Sequence, residues 1–442
     1  MGLVDHVANY TLAARRVATP DTILEDGFVV VEGGSVREVG RGLPPGGPEV
    51  VDLGDMLIVP GFIDVHVHGG GGAQVNCATR EEVEASVRHM AAFHARHGTT
   101  ALVATTVSDS PEALRAAVEG IAAVTRAPGD GSTGPDRSSG PDRSSGPNRS
   151  TGTAVGASVL GSNLEGPWIA RSRAGAQYPG ALRPPSLVEF DDLVKLSQGS
   201  LRIVTLAPEL EGALDLITAA CSSGVVASIG HTDADHATAE AAFDAGATLA
   251  THLFNAMAPI HHRRPGPVAA ALADDRVSLE IIADGVHIHP ALISLVASVA
   301  PDRLVLMTDA IGATGAVPGR HRLGPLEVQV ANGRAVLVGH EETVAGSVLT
   351  MDRALALAVQ VAGVPLLVAL RATSLHPANL LGEQRKGRLA PGADADMVVL
   401  DNDLALAATI IGGRVVHDPR GLFGATEPVQ LHGEALSQAP LP

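Results

Sequence analysis

Residues 61–72 read GFIDVHVHGGGG. Alternate residues of an extended strand share a face, so His66 and His68 aim their imidazoles at one point. The glycines that follow let the backbone crowd a ligand with no side chain in the way. Two readings fit this stretch alone. One is a pair of polar residues at a strand end, hydrogen-bonded or solvated. The other is part of a metal site, because neutral imidazole is a common zinc ligand.

The same residue types recur wherever an apolar run stops. NLEGPW carries Glu165, SIGHTDA carries His231, ATHLFNAM carries His252, ADGVHIHP carries His287 and His289, and LMTDAIGATGA carries Asp309. A lone histidine at a strand end is usually structural. Histidines and carboxylates at strand end after strand end favour the metal reading. The set His66, His68, Glu165, His231, His252 and Asp309 offers nitrogen and carboxylate ligands, which suit zinc, iron, cobalt or manganese. No cysteine stands at a strand end, so a closed structural zinc site is excluded. The two lysines, Lys195 and Lys386, are not at strand ends either. A carboxylated lysine bridge between two metals is therefore excluded, and Glu165 is left as the candidate bridge.

These residues need a scaffold that brings strand ends together. Apolar runs occur at LIVPGFIDV, TALVATT, AVGASVLGSN, LRIVTLAP, VVASIG, TLATHLF, VSLEIIADG and RLVLMTDA. Helical patterns such as PEALRAAVEGIAAVTRA and HATAEAAFDAG lie between them. This alternation predicts an α/β fold, a (β/α)8 TIM-like barrel with its chemistry at the C-terminal strand ends. An open doubly wound sheet is the alternative. It would more often carry a glycine-rich phosphate loop after the first strand, and GGGGAQVNCATR lacks that spacing. Both chain ends look like β structure: GFVVVEGGSVREVG has a Gly-Gly hairpin signal, and GRLAPGADADMVVLDNDLALAATIIGGRVV pairs β-rich runs around turns. The expected organisation is a small β-sandwich domain from 1–60 and 385–442, with the barrel at 61–384. The repeat GPDRSSGPDRSSGPNRSTG at 134–152 cannot bury apolar area and is expected to be a disordered insertion away from the site.

Composition agrees with a buried parallel sheet. Of 442 residues, 45% are hydrophobic but only 2% aromatic, so the core must be built from Val, Leu, Ile and Ala. A net charge of −17 argues against nucleic acid or an anionic membrane as partner. Two cysteines, Cys77 and Cys221, suggest a reducing compartment rather than a disulfide framework. Neither a signal peptide nor a run long enough to span a bilayer is expected.

The motifs from PGFIDVHVHG to TDAIGATG resemble the amidohydrolase superfamily. Within it, EGPW, GHT, THLFNAMAPIHHRRPG, ADGVHIHP and AGSVLTMDRAL are similar to the N-acetylglucosamine-6-phosphate deacetylase family. The likeness runs from about residue 25 to residue 416, broken only at the repeat. The resemblance implies a homodimeric deacetylase of amino-sugar phosphates with one or two divalent metals per subunit; the ligand types put zinc before iron, cobalt or manganese, and the cysteine usage points to the cytoplasm. It makes Glu165, His231 and His252 the main metal ligands, His66 and His68 the ligands of a second metal, and Asp309 the catalytic acid and base. Asn255, Ala256, Arg263 and His287 match sugar and phosphate contacts, with Arg263 reaching the neighbouring subunit's site.

One position departs from the family pattern. Members often place a histidine twelve residues after the glutamate, where it binds the acetyl carbonyl; this chain has Gln177. Glutamine can donate a hydrogen bond but carries no proton. A different cyclic-amide or dipeptide amidohydrolase, and a binding relative with a decayed site, are the competing readings. The missing bridge lysine and the HLFNAM block count against the first, and the complete ligand set against the second. Arg264 reads as a solvated neighbour, His289 as structural, and Trp168 and Met257 as packing residues. His261 and His262 are left open.

Overall fold

The computed structural model describes residues 9–44, 49–125 and 156–424. The 134–152 repeat lies outside the described residues. The central feature is a parallel sheet of eight strands in sequential order: β1 (Phe62–Val67), β2 (Thr99–Thr106), β3 (Ser158–Glu165), β4 (Leu201–Leu206), β5 (Val226–Ile229), β6 (Leu249–Ala250), β7 (Ser278–Ile282) and β8 (Leu304–Met307). β1, β2 and β3 are buried along their whole length, as parallel strands covered on both faces must be. The sheet closes between its first and last strands. The Asp309 N–H donates to the His66 carbonyl at 2.9 Å, and the His68 N–H to the Ala310 carbonyl at 2.8 Å. Asp64 stitches the same seam from inside, accepting from the Thr308 N–H at 3.2 Å and the Thr308 hydroxyl at 2.5 Å.

Helices cover the outside. α1 (Arg80–Ala95) starts on a reciprocal cap in which Thr79 accepts from the Glu82 N–H and Glu82 from the Thr79 N–H. Such a cap stabilises a helix start by satisfying two backbone donors. α2 (Pro111–Thr125) buries Leu114, Ala117, Val118, Ile121 and Ala122, a helical stripe facing the strands. α3 (Leu187–Ser197), α4 (Ala213–Ser222), α5 (His236–Asp244), α6 (Gly266–Ala273) and α7 (Pro290–Val299) follow the succeeding strands. Trp168 packs edge-on to Phe190 with ring centroids 6.2 Å apart and is fully buried, as is Met257 nearly so, which agrees with their reading as packing residues.

The two chain ends meet as expected. They build one sheet in the order Arg414–His417, Leu406–Ile411, Met397–Leu400, Leu57–Pro60, Tyr10–Ala18, Ile23–Glu32 and Ser35–Arg41, with Glu49–Asp52 also paired to Tyr10–Ala18. Its core includes Leu12, Val29, Val31, Ile58, Met397, Val399 and Ile410. The run LIVPGFIDV, expected as one strand, is two strands in two sheets. Leu57–Pro60 belongs to the terminal sheet and Phe62–Val67 to the barrel. Both halves are buried, so hydrophobicity alone reads straight through. The break falls at Gly61, whose N–H donates to the Asp396 carbonyl. A Cβ there would lie 2.1 Å from Thr100 Oγ1, so only glycine fits. A four-stranded antiparallel sheet of Gly319–Leu323, Leu326–Ala331, Arg334–Leu337 and His340–Val344 follows β8 and was not foreseen.

Lys386 anchors this junction. Its ammonium lies buried, 2.9 Å from Asp396 and 3.2 Å from Asp394. Burial disfavours its charge, but the two aspartates outweigh burial and raise its pKa above the ordinary lysine value. Lys386→Met should strand buried carboxylates and cost about 3–5 kcal/mol, the usual penalty for breaking a buried ion pair from one side. Denaturant unfolding of the full chain measures this; an unchanged midpoint would remove Lys386 as the anchor.

Candidate metal centre and active-site cavity

His231, His252 and Asp309 each stand two residues past the end of β5, β6 and β8. All three have left-handed backbones, with φ of 48°, 31° and 52°. A non-glycine residue in that region costs on the order of 1–3 kcal/mol and persists where its surroundings over-determine it. The turn breaks the strand alternation and swings each side chain into the barrel mouth. Asp309 is held on both sides: its N–H by His66, its carbonyl by the Ser347 N–H at 2.7 Å. Gly346, itself at φ 59°, lets the chain press against Asp309, since a Cβ there would lie 2.9 Å from the Asp309 carbonyl oxygen.

Glu165, the last residue of β3, sits between the imidazoles. Its Oε1 lies 3.2 Å from His231 Nε2, 3.0 Å from His252 Nε2 and 3.5 Å from His66 Nε2. Its Oε2 lies 3.3 Å from His68 Nε2. Asp309 Oδ1 stands 3.1 Å from His68 Nε2 and 3.6 Å from His66 Nε2. Two groups with converging ligand atoms result: His66, His68 and Asp309, and Glu165, His231 and His252. Glu165 touches members of both.

The donor set fits divalent cations. His68 Nδ1 lies 3.0 Å from the Thr105 carbonyl and His231 Nδ1 2.7 Å from the Arg173 carbonyl. A carbonyl only accepts, so Nδ1 carries a proton in both rings. In the neutral imidazole this leaves the Nε2 lone pair pointing into the site. His66 Nδ1 similarly faces Glu280 Oε2 at 3.3 Å. Hydrogen bonding at the outer nitrogen is how proteins orient imidazole ligands. The Nε2 atoms of His66 and His68 are 3.3 Å apart, and those of His231 and His252 3.1 Å apart. Paired lone pairs at that separation need a proton or a cation between them and the carboxylates.

Without a cation the carboxylates favour protons there. Burial opposes a charge on His66, but Glu165 and Glu280 outweigh it and put its pKa well above the ordinary histidine value. Burial is likewise overcome at His68, by Asp309 and Glu165, which lift it to about 9. Conversely, burial pushes Glu165 and Asp309 upward, yet the surrounding imidazoles hold Glu165 well below, and Asp309 below, the usual carboxylate range.

A cavity of about 400 Å³ opens above these groups. Gln177, Asn255, Ala256 and His287 line it together with His68, Glu165, His231, His252 and Asp309. Gln177 is locked: its Oε1 accepts from the Ser108 N–H at 2.6 Å, and its Nε2 donates to Glu165 Oε2 at 2.5 Å. His287 is held by Asp284 at 2.7 Å; burial opposes its charge, but Asp284 raises its pKa. Arg263 is not brought to the cavity. It is exposed on the loop after β6, with Nη1 2.7 Å from His262 Nε2. His289 caps α7 at the surface, in line with a structural role. Sequence reading missed Glu280, a buried β7 residue that also accepts from the His252 N–H at 3.3 Å. The only signal was a charged residue inside the apolar run VSLEII. It also missed Asp64, the seam residue, and Glu342, which lines the cavity from the unforeseen sheet.

The sequence model of the amidohydrolase family matches residues 57–416. The chain belongs to the amidohydrolase family. This amidohydrolase is 40% identical over 374 residues to the N-acetylglucosamine-6-phosphate deacetylase of Bos taurus, covering 83% of this chain and 84% of that protein. It is 36% identical over 407 residues to the N-acetylgalactosamine-6-phosphate deacetylase of Escherichia coli O157:H7, covering 92% and 99%. Among solved structures, a mutant N-acetyl-D-glucosamine-6-phosphate deacetylase from Mycobacterium smegmatis, in complex with N-acetyl-D-glucosamine-6-phosphate, superposes with a TM-score of 0.82 at 40% identity, covering 93% of this chain and all of that one. No helix among the described residues is long and apolar enough to cross a membrane.

A pH dependence follows from the imidazoles. A histidine whose folded pKa is raised to about 9 holds a proton at neutral pH, and a metal must displace it. Loading metal-stripped protein at pH 7 should release protons, and apparent affinity should climb as pH rises toward about 9. Calorimetric titration in buffers of different ionisation enthalpy measures the release. Affinity that stays flat across this range contradicts the assignment.

Proposed function

We propose that this amidohydrolase hydrolyses the acetamide of N-acetylglucosamine 6-phosphate, giving acetate and glucosamine 6-phosphate. The observation that carries the reading is Asp309, a carboxylate lining the cavity as a member of one of two converging donor sets. The substrate class is supported by the relatives named above. The Escherichia coli relative, matched over almost its whole length, favours N-acetylgalactosamine 6-phosphate as the second reading. A cavity of about 400 Å³ suits a hexose phosphate.

In this reading His66, His68 and Asp309 hold one divalent cation, and Glu165, His231 and His252 another, zinc being the first choice. A bound cation supplies Lewis acidity that lowers the pKa of water and polarises an amide carbonyl. Asp309, kept ionised by its imidazole neighbours, takes the proton of the attacking water and delivers it to the departing amine nitrogen. Gln177 gives one amide hydrogen to Glu165 and keeps a second for the acetyl oxygen, a fixed donor where negative charge develops. Asn255, the Ala256 backbone and His287 contact the sugar and its phosphate. We place the reaction in the cytoplasm, a setting that suits two unpaired cysteines.

The charge balance supports a homodimer. Glu165, Asp309 and Glu342 line the cavity, and the arginine that lines it among the described residues, Arg173, is already engaged by Asp233 at 2.6 Å. A phosphate dianion needs another cation, and the exposed Arg263 of a second subunit supplies a planar fork suited to it. Arg263→Ala should raise KM for the 6-phosphorylated substrate by about 10–100-fold, the loss of a charge-assisted hydrogen bond. Turnover of the unphosphorylated N-acetylhexosamine should change little. Equal losses on both substrates would show Arg263 to be structural.

Asp309→Asn should retain metal at the Glu165 group while lowering kcat by about 10²–10⁴, the usual size of a general acid–base contribution. Steady-state assays on both N-acetylhexosamine 6-phosphates, with metal content measured on the same samples, test function and role together. No hydrolysis of either substrate by metal-loaded wild-type protein would sink the proposal.

A further inference from the structure

The segment 170–177 leaves β3, runs along the cavity rim and returns with Gln177 against Glu165. On the way it handles His231 twice. The Ala170 N–H donates to the His231 carbonyl at 3.0 Å, and the Arg173 carbonyl receives the His231 Nδ1 proton at 2.7 Å. This carbonyl therefore decides which way the His231 Nε2 lone pair points. Yet it belongs to a single exposed turn, Arg171–Arg173, with no buried side chain of its own.

What pins that turn is Asp233, two residues beyond His231. Its Oδ2 accepts from the Ser172 hydroxyl at 2.5 Å, and its Oδ1 from Arg173 Nε at 2.6 Å. Asp233 is fixed in turn by Glu209 from the end of β4. Glu209 Oε1 accepts from the Asp233 N–H at 2.6 Å, and Oε2 from the Thr232 hydroxyl at 2.5 Å. Three strand-end segments are thus linked, after β3, β4 and β5, and the link surrounds a residue whose φ is 48°. His252 offers a contrast: its Nδ1 is buried without a hydrogen-bond partner among the described residues. In the Glu165–His231–His252 group, His231 alone of the two imidazoles has its ring direction set from outside.

We propose that Asp233 is a positioning residue: by clasping Ser172 and Arg173 it holds the Arg173 carbonyl against His231 Nδ1, and so aims His231 Nε2 at the position shared with Glu165 and His252. The clasp rests on the reading that this group holds a divalent cation. It touches neither substrate nor cation itself. Its contribution is to hold one ring orientation against the pull of the strained backbone. Outer partners of metal-bound histidine change metal affinity by about 10–100-fold when removed.

The test uses full-length protein loaded with Co²⁺, whose visible absorption reports ligand geometry, and titrated with a competing chelator. Asp233→Ala is expected to lose Co²⁺ at about 10–100-fold lower chelator activity, with an altered visible band. Asp233→Asn keeps one acceptor oxygen but turns an amide N–H₂ toward a donor, so its affinity should fall between those of wild type and Asp233→Ala. The double variant Ser172→Ala and Arg173→Met opens the clasp from the other side, leaves Asp233 in place and should reproduce the Asp233→Ala spectrum; it decides the matter if Asp233→Ala does not fold. His231→Asn is the control for the underlying reading. If His231→Asn binds Co²⁺ as wild type does, the metal assignment fails. If His231→Asn loses Co²⁺ while the clasp variants keep wild-type affinity and spectrum, the positioning role of Asp233 is overturned and the metal assignment stands.

Discussion

Four carboxylates, Asp64, Glu165, Glu280 and Asp309, lie inside the barrel mouth at 7% exposure or less. Ionised groups withdrawn from water must meet partners, because the desolvation cost is otherwise several kcal/mol each. That constraint organises everything around them. Glu165 and Asp309 face imidazole nitrogens, Glu280 supports His66 and the His252 backbone, and Asp64 takes the hydroxyl and N–H of Thr308 together with the His66 N–H at 3.3 Å. Burial still lifts Asp64 to about 6, the sign that its three donors only partly replace water. The imidazoles in turn need fixed tautomers, which come from carbonyls at Thr105 and Arg173. The mouth is thus a layered balance: carboxylates against imidazoles, imidazoles against backbone.

Barrel closure and the site use the same peptide groups. The hydrogen bonds that join β1 to β8 run through His66, His68, Asp309 and Ala310. A residue that closes the sheet with its backbone carries a metal-type ligand on its side chain. Any slip of register at the seam would move three candidate ligands together, since one residue of slip turns side chains to the opposite face. The left-handed turns at His231, His252 and Asp309 add a second common feature. Each departs from its strand at the same offset, so the strained positions lie at one level along the β5–β8 part of the mouth.

Much of this was legible in the sequence because residue type and strand period carry it. His66 and His68 share a face through the period of two, and the polar residues ending successive apolar runs mark the mouth. The Gly-Gly hairpin and the meeting of the chain ends were legible for the same reason. Other features were hidden for physical causes. The LIVPGFIDV run conceals a sheet change, because both strands are buried and only the close approach of Gly61 to Thr100 forces the break. Glu280 looks like a charge in a strand until its partners on β1 and just past β6 are known. The Asp233 clasp joins residues about sixty positions apart through loops with no apolar pattern to read.

The scarcity of aromatic residues leaves one tryptophan in the chain. Trp168 is fully buried three residues after Glu165, stacked edge-on against Phe190, and its carbonyl receives the Ala207 N–H from the end of β4. All of the indole emission therefore arises at the root of the segment that carries Gln177 and Arg173. A buried, apolar indole emits at short wavelength, so the tryptophan emission of the unlabelled protein, excited beyond the absorption of Tyr10 and Tyr178, is a single-site signal. It reports when the β3–β4 side of the mouth loosens, and it does so without contribution from the terminal sheet.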